Sequence, residues 1–225
     1  MRPYDLLVFD WDGTLMDSVH RIVTCMQRAA LDAGHPVPDH AAVREIIGLG
    51  MHEVVARLWP EAGTREIDDI IEAYRTHWLS DEIPASSLFP GAETVVRWVR
   101  ETGYLLAVAT GKSRRGLDKV LEETSLTDCF DMTRCADEAH SKPHPQMLED
   151  IFTDLHTPPD RVLMIGDSEY DMLMATNAQV DALGIAHGVH ETDHLLQSGA
   201  LAVLDALGSL PVWLNGVYEM RESRG

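Results

Sequence analysis

Apolar positions along the chain fall into two periods, and the alternation between them predicts the fold. "LLVFD" (6–10) is a short apolar run ending at a turn, as in a strand buried on both faces of a parallel sheet. Four further runs share its character: "LLAVAT" (105–110), "FDMTRC" (130–135), "RVLMIGD" (161–167) and "ALGIA" (182–186). "ALAVL" (200–204) is a weaker sixth. Helical spacing lies between them. Val95, Val96 and Val99 share a face ahead of Gly103, a suitable C-terminal cap, and Met147, Leu148, Ile151, Phe152 and Leu155 form one stripe. Strand–helix alternation at intervals of about 30 residues predicts an α/β fold on a parallel sheet.

Residues 16–84 break this rhythm. They contain no convincing strand but offer helical faces in succession. Val19, Ile22, Val23, Met26 and Ala30 line the first, which stops at Gly34. Segments Asp39–Ile47 and Met51–Trp59 follow, the latter ended by Pro60. Thr64 is placed to cap a fourth helix, whose face is Ile67, Ile70, Ile71, Tyr74 and Trp78. The expected organisation is a sheet unit of residues 1–15 and 85–225 interrupted by an all-helical insertion, 16–84. "IPASSLFPG" (83–91) reads as the return linker.

Composition narrows the function. The chain has 225 residues, 45% of them apolar, and no apolar stretch reaches the eighteen or so residues of a membrane span. Its start has too short an apolar run for a signal peptide, so a cytoplasmic location is expected. Cys25, Cys129 and Cys135 form no CxxC pair and read as small buried hydrophobes in a reducing compartment. The net charge of −19 repels nucleic acid and anionic lipid, so neither is expected as a partner. Any anionic substrate would need local cations or a metal to overcome that field.

Four polar clusters sit just after predicted strands, where open parallel sheets build ligand sites. The first is Asp10, Asp12, Gly13 and Thr14. A carboxylate can attack phosphorus, and a second one in reach can protonate a leaving oxygen and later deprotonate water. Alone, the stretch also reads as an Asp-Gly turn with capping acids. The second is "ATGKS", where the Thr110 hydroxyl and the Gly111 N–H can hold phosphate oxygens, or form an ordinary turn. Lys112, Arg114 and Arg115 add charge there or are simply solvated. In "SKPHP", Lys142 can neutralise a transferring phosphoryl group, or be a loop lysine. In "IGDSEYDM", Asp167 and Asp171 would join the first pair in an oxygen-rich site suited to Mg²⁺; alternatively Asp167 caps a helix with Asp171 on its exposed face.

The ordered set "DWDGTLMDS", "ATGK", "SKPHP" and "GDSEYD" resembles the haloacid dehalogenase superfamily of phosphohydrolases, over nearly the whole chain. Phosphoglycolate-phosphatase-like members with a helical cap look most similar. The resemblance implies a Rossmann-like core and an Mg²⁺-dependent phosphatase acting on a small phosphorylated metabolite through an aspartyl phosphate. Asp10 would be the nucleophile and Asp12 the general acid/base. Asp10, the Asp12 backbone carbonyl and Asp167 would hold Mg²⁺, with Asp171 supporting the metal site and Lys142. Thr110, Gly111 and Lys142 would bind the phosphoryl group. Hinges are expected near 15–18 and 83–90, with Asp17 and Ser18 capping the first insertion helix.

Rival readings and departures remain. A phosphomutase of the β-phosphoglucomutase type would pass the phosphoryl group to a sugar; a non-catalytic phospho-ligand binder would show no turnover. Trp11 stands where the family more often has Met or a smaller apolar residue, and its ring is expected to pack under the cap. Ala178-Gln179 replaces the usual Ala-Gly. "IIGLGM" (46–51) falls at the family's substrate loop, without an assignable contact side chain. "HETDH" (190–194) matches the His-Glu-x-x-His zinc pattern, but its glycine-bounded segment is too short to place both histidines inside a helix. Trp59, Trp78 and Trp213 suit an interface or a core, leaving monomer or homodimer open.

Overall fold

The computed structural model describes residues 2–222. β1 (Leu6–Phe9) is buried at every position and delivers the chain to the turn that begins at Asp10. Burying one such side chain contributes roughly 1.5–3 kcal/mol before entropy is subtracted. A two-residue strand, β2 (Met16–Asp17), leads into the insertion: α1 (Val19–Asp32), α2 (His40–Glu45), α3 (Met51–Leu58) and α4 (Thr64–Leu79). β3 (Ser87–Leu88) returns from it and pairs antiparallel with β2, Met16 opposite Leu88. This ribbon forms a neck that the sequence did not predict, because two-residue strands carry no readable period.

The remainder alternates as expected. α5 (Ala92–Glu101), β4 (Leu105–Thr110), α6 (Arg114–Thr124), β5 (Met132–Cys135) and α7 (Gln146–Asp154) come first. β6 (Val162–Gly166), α8 (Glu169–Asn177), β7 (Asp181–Ile185), α9 (Thr192–Gln197), β8 (Ala202–Leu204) and α10 (Leu210–Glu222) complete it. Six strands form one parallel sheet in the order β5-β4-β1-β6-β7-β8, with Phe9 beside Val108 on one side and Ile165 on the other. The chain fills one flank after β1 and the other flank later. β1 and β6 are therefore the reversal point, beyond whose carboxyl ends parallel sheets open a crevice.

In the insertion, α1 and α4 lie side by side. Val23, Met26 and Ala30 are buried in one cluster with Ile70, Ile71 and Trp78. The Asp39 carboxylate accepts the Ala42 N–H and starts α2 as its type predicts. At α4 the cap lies one residue earlier than expected: Gly63 holds the position, and Glu66 accepts its N–H. Trp59 and Trp78 are buried, which removes them from any interface, while Trp213 stacks on Tyr4 at 6.5 Å. Trp11 finds its partners elsewhere in the chain: its indole is fully buried, edge-on to Phe130 and with Nε1 directed at Met16 Sδ, so it braces the sheet against the neck.

Gln179 follows α8 with φ +58, the left-handed geometry that the more usual glycine adopts without strain. Gln179→Gly is expected to stabilise the protein by about 0.5–1 kcal/mol, the common scale for relieving one such residue. A thermal melt should show a rise of roughly 2 °C.

Candidate active site

The turn after β1 separates the two aspartates. Gly13 has φ +83, and a Cβ there would lie 2.1 Å from Asp167 Oδ2, so only glycine lets this turn sit against β6. Asp10 faces the end of β6, with its N–H donating to the Ile165 carbonyl. Asp12 faces the insertion and accepts from Ser18 Oγ at 2.5 Å. Lys112 Nζ holds both Asp12 oxygens at 2.8 Å and lies 4.0 Å from the centre of the Trp78 ring. Ser18 does stand at the N-cap position of α1, but its hydroxyl makes no cap bond. The Asp12 charge has taken it. Asp17 takes no part in the cap either: it lies in β2.

Around Asp10 the polar groups are fully enclosed. Asp167, Asp171 and Lys142 are each completely buried. Lys142 Nζ donates to Asp171 Oδ1 at 2.6 Å and lies 2.8 Å from Asp10 Oδ1. That second approach is an ion pair without hydrogen-bond alignment, so both Asp10 oxygens remain buried without a hydrogen-bond donor. Asp167 accepts from Thr14 Oγ1 at 2.6 Å and from the Val189 N–H at 2.8 Å. Asp171 Oδ2 takes the Ser168 hydroxyl and N–H. Ser168, not Asp167, caps α8, and Asp171 lies inside the site rather than on an exposed face.

Three carboxylates against one ammonium leave an excess of negative charge. Burial above all, then the charges of Asp171 and Asp167, hold the Asp10 carboxyl well above the usual carboxylate range despite the pull of Lys142. Burial and then Asp171 push Asp167 up to about 7. Burial alone would lower the Lys142 ammonium, but Asp10 and Asp171 outweigh it and hold it above its ordinary value. One oxygen each from Asp10, Asp167 and Asp171 lie within 4.8 Å of one another. All are hard donors, and the buried Asp10 oxygens accept no hydrogen bond: a divalent cation fits this set. The Asp12 side chain is turned to Lys112, so only its backbone remains available to that cation.

Thr110 and Gly111 lie at the end of β4, beside Asp10 and Asp12, and all four line a cavity of about 520 Å³. The insertion forms its opposite wall. Its backbone comes down directly on Gly111, where a Cβ would meet the Gly48 and Leu49 carbonyl oxygens at 2.6 Å. Gly50 N–H donates to Ser141 Oγ, Arg44 to the Gly188 carbonyl and Arg57 to the Tyr170 hydroxyl, pinning the insertion to the sheet side. Lys112 and Ser18 are the functional partners that sequence reasoning did not assign. Lys112 was legible as a cation, but its partner lies 100 residues away.

The "HETDH" stretch places His190 before a six-residue helix. Its Nδ1 accepts the Glu169 N–H at 2.8 Å, which leaves the proton on Nε2, where a metal would bind. Glu45 and Glu169 are nearby, but a protonated nitrogen is a donor and not a ligand.

Fold and site together set three buried carboxylates and a buried lysine at the reversal point of a parallel α/β sheet. The chain belongs to the haloacid dehalogenase-like hydrolases, whose family pattern residues 7–185 match. Among similar proteins is "Probable phosphatase IndB" of Dickeya dadantii, 30% identical, the alignment covering 93% of this chain and 92% of that protein. A phosphoglycolate phosphatase of Vibrio cholerae is 29% identical over 93% and 96%. A hydrolase structure from Pseudomonas syringae superposes with a TM-score of 0.84 at 23% identity, covering 96% of this chain and 99% of that one. The chain is an enzyme of the phosphatase kind. No described helix is long and apolar enough to cross a membrane.

Proposed function

We propose that this phosphatase is Mg²⁺-dependent and hydrolyses a small phosphorylated metabolite through an aspartyl phosphate on Asp10. The observation that carries it is the buried Asp10 carboxylate at the mouth of the sheet reversal, whose oxygens accept no hydrogen bond and whose counter-charge, Lys142, is shared with Asp171. Asp10 attacks phosphorus in line; an Asp10 oxygen–phosphorus bond forms as the bond to the leaving oxygen breaks. Asp12 gives that oxygen a proton. It then takes one from water, whose oxygen displaces Asp10 and releases phosphate. Thr110, the Gly111 N–H and Lys142 hold the phosphoryl oxygens. Asp10, the Asp12 carbonyl and Asp167 would hold Mg²⁺, which supplies charge neutralisation to a phosphoryl group that the −19 surface otherwise repels.

Residues 16–84 act as a cap that closes on the substrate, turning at the β2–β3 neck. The three cysteines are buried free thiols, and burial pushes Cys25 up to about 11 and Cys135 to about 12, so neither supplies a thiolate nucleophile to compete with Asp10. The test is phosphate release from a panel of phosphorylated metabolites with Mg²⁺ and with EDTA. Release that needs the metal supports the reading; no release from any ester, or equal release in EDTA, overturns it.

A stability measurement checks the metal independently. Without metal, the raised Asp167 binds its proton more tightly in the folded state. Its contribution is present below the unfolded value of 3.8 and is lost as pH rises through about 7. A bound cation replaces that proton. Mg²⁺ is therefore expected to raise the melting temperature more at pH 8 than at pH 5.5. An equal rise at both would remove the cation from this cluster.

A further inference from the structure

The cavity wall contributed by the insertion is mostly apolar, its polar members Glu72, Arg75 and Thr76 all lying on α4. Met26 of α1, Val43 of α2, and Ile46, Ile47 and Leu49 of the loop that follows line it, with Trp78 of α4. Tyr74 and Trp78 stand nearly parallel, 6.1 Å apart with 14° between their planes. Burial holds the Tyr74 hydroxyl well above its usual range, so this wall carries no charge there. Three cations also line the cavity, one of them, Arg75, on α4 of the insertion itself. Lys112 is held by both oxygens of Asp12, while Arg75 and Arg115 are exposed and stand at the opening. Arg75 pairs with Glu72.

From this arrangement we infer that the substrate is a phosphomonoester whose leaving alcohol is flat and apolar, an aromatic or heteroaromatic group, rather than a short anionic one such as glycolate. The inference rests on the phosphatase reading above and deepens it. A two-carbon acid esterified to phosphate carries its carboxylate within a few bonds of phosphorus, and so against the aliphatic wall. Lys112 is already held by both Asp12 oxygens, and burying a charge without a free partner is strongly unfavourable. A two-carbon group would also leave most of a cavity of about 520 Å³ unfilled. A planar apolar group instead meets the Ile46–Leu49 loop and the Tyr74–Trp78 pair, which line the same cavity. Any charge at the far end of a longer alcohol emerges beside Arg75 and Arg115. Ile47 and Trp78 are the specificity residues this predicts.

The experiment compares kcat/KM of the wild-type enzyme with Mg²⁺ for 1-naphthyl phosphate, glycerol phosphate and 2-phosphoglycolate. The expected order places 1-naphthyl phosphate first, by roughly a hundredfold or more over 2-phosphoglycolate, the scale on which a pocket rejects an unpaired charge. Ile47→Ala should raise KM for the naphthyl ester while changing the glycerol ester little, which a general loss of folding would not do. Equal or better turnover of 2-phosphoglycolate overturns the inference and leaves the phosphatase intact. Failure of all three esters would instead overturn the phosphatase reading, and the inference with it.

Discussion

Asp10→Asn is expected to lower kcat for an aryl phosphate by on the order of 10⁴ or more, while leaving the protein at least as stable as the wild type. The two halves have one cause. Asp10 is a buried carboxylate with no hydrogen-bond donor on either oxygen, beside two further buried carboxylates. Replacing it with a neutral amide of the same shape removes the attacking oxygen. It also removes one of three like charges from a space that Lys142 alone balances. In metal-free buffer at pH 8 the variant should therefore melt no lower than the wild type. Near-normal hydrolysis would sink the assignment of the nucleophile. A large drop in melting temperature would show instead that Asp10 is a structural partner of Lys142.

Lys142→Met should behave in the opposite way. Its ammonium is fully buried, 2.6 Å from Asp171 and 2.8 Å from Asp10, and no other cation approaches these two acids among the described residues. Removing one member of a buried ionic cluster leaves charges uncompensated and typically costs about 3–5 kcal/mol. For a chain of this size that is a fall of roughly 10 °C in melting temperature. The loss should be deepest at pH 8 without metal. It should shrink at pH 5.5, where the buried carboxyls, raised by burial, take up protons. Activity should fall below detection, because in the proposed mechanism the ammonium also serves the phosphoryl group. A variant that melts like the wild type at pH 8 would contradict the reading of Lys142 as the central counter-charge.

What the sequence revealed follows from what leaves a local signature. The continuous apolar runs of β1, β4 and β6 were legible to within a residue or two because a strand buried on both faces has no other composition. The insertion helices showed themselves through faces such as Ile67, Ile70, Ile71, Tyr74 and Trp78. Asp10, Lys142, Asp167 and Asp171 were legible through the order of their motifs, and the structure brings the four together. Partnerships made across the chain were not. Ser18 looks like a helix cap until Asp12 is seen within 2.5 Å, and Lys112 looks solvated until Trp78 is seen beneath it. Trp11 was opaque for the same reason: Phe130 and Met16, which explain it, belong to other elements. "IIGLGM" drew notice by its glycines, yet the side chains it sends to the cavity include Ile46 and Ile47, which precede them, and Leu49 between them.

The bond from Ser18 to Asp12 has a mechanical meaning. Ser18 is the last residue before α1 and sits directly after the neck, while Asp12 belongs to the sheet's first turn. A rotation of the helical insertion thus pulls on the carboxylate itself. Lys112, anchored to the sheet but resting on Trp78 of α4, grips the same carboxylate from the moving side. Asp12 is tethered like a latch bolt between frame and door. In the proposed mechanism its position would follow whether the door is shut, and proton transfer would be synchronised with closure without any separate signal.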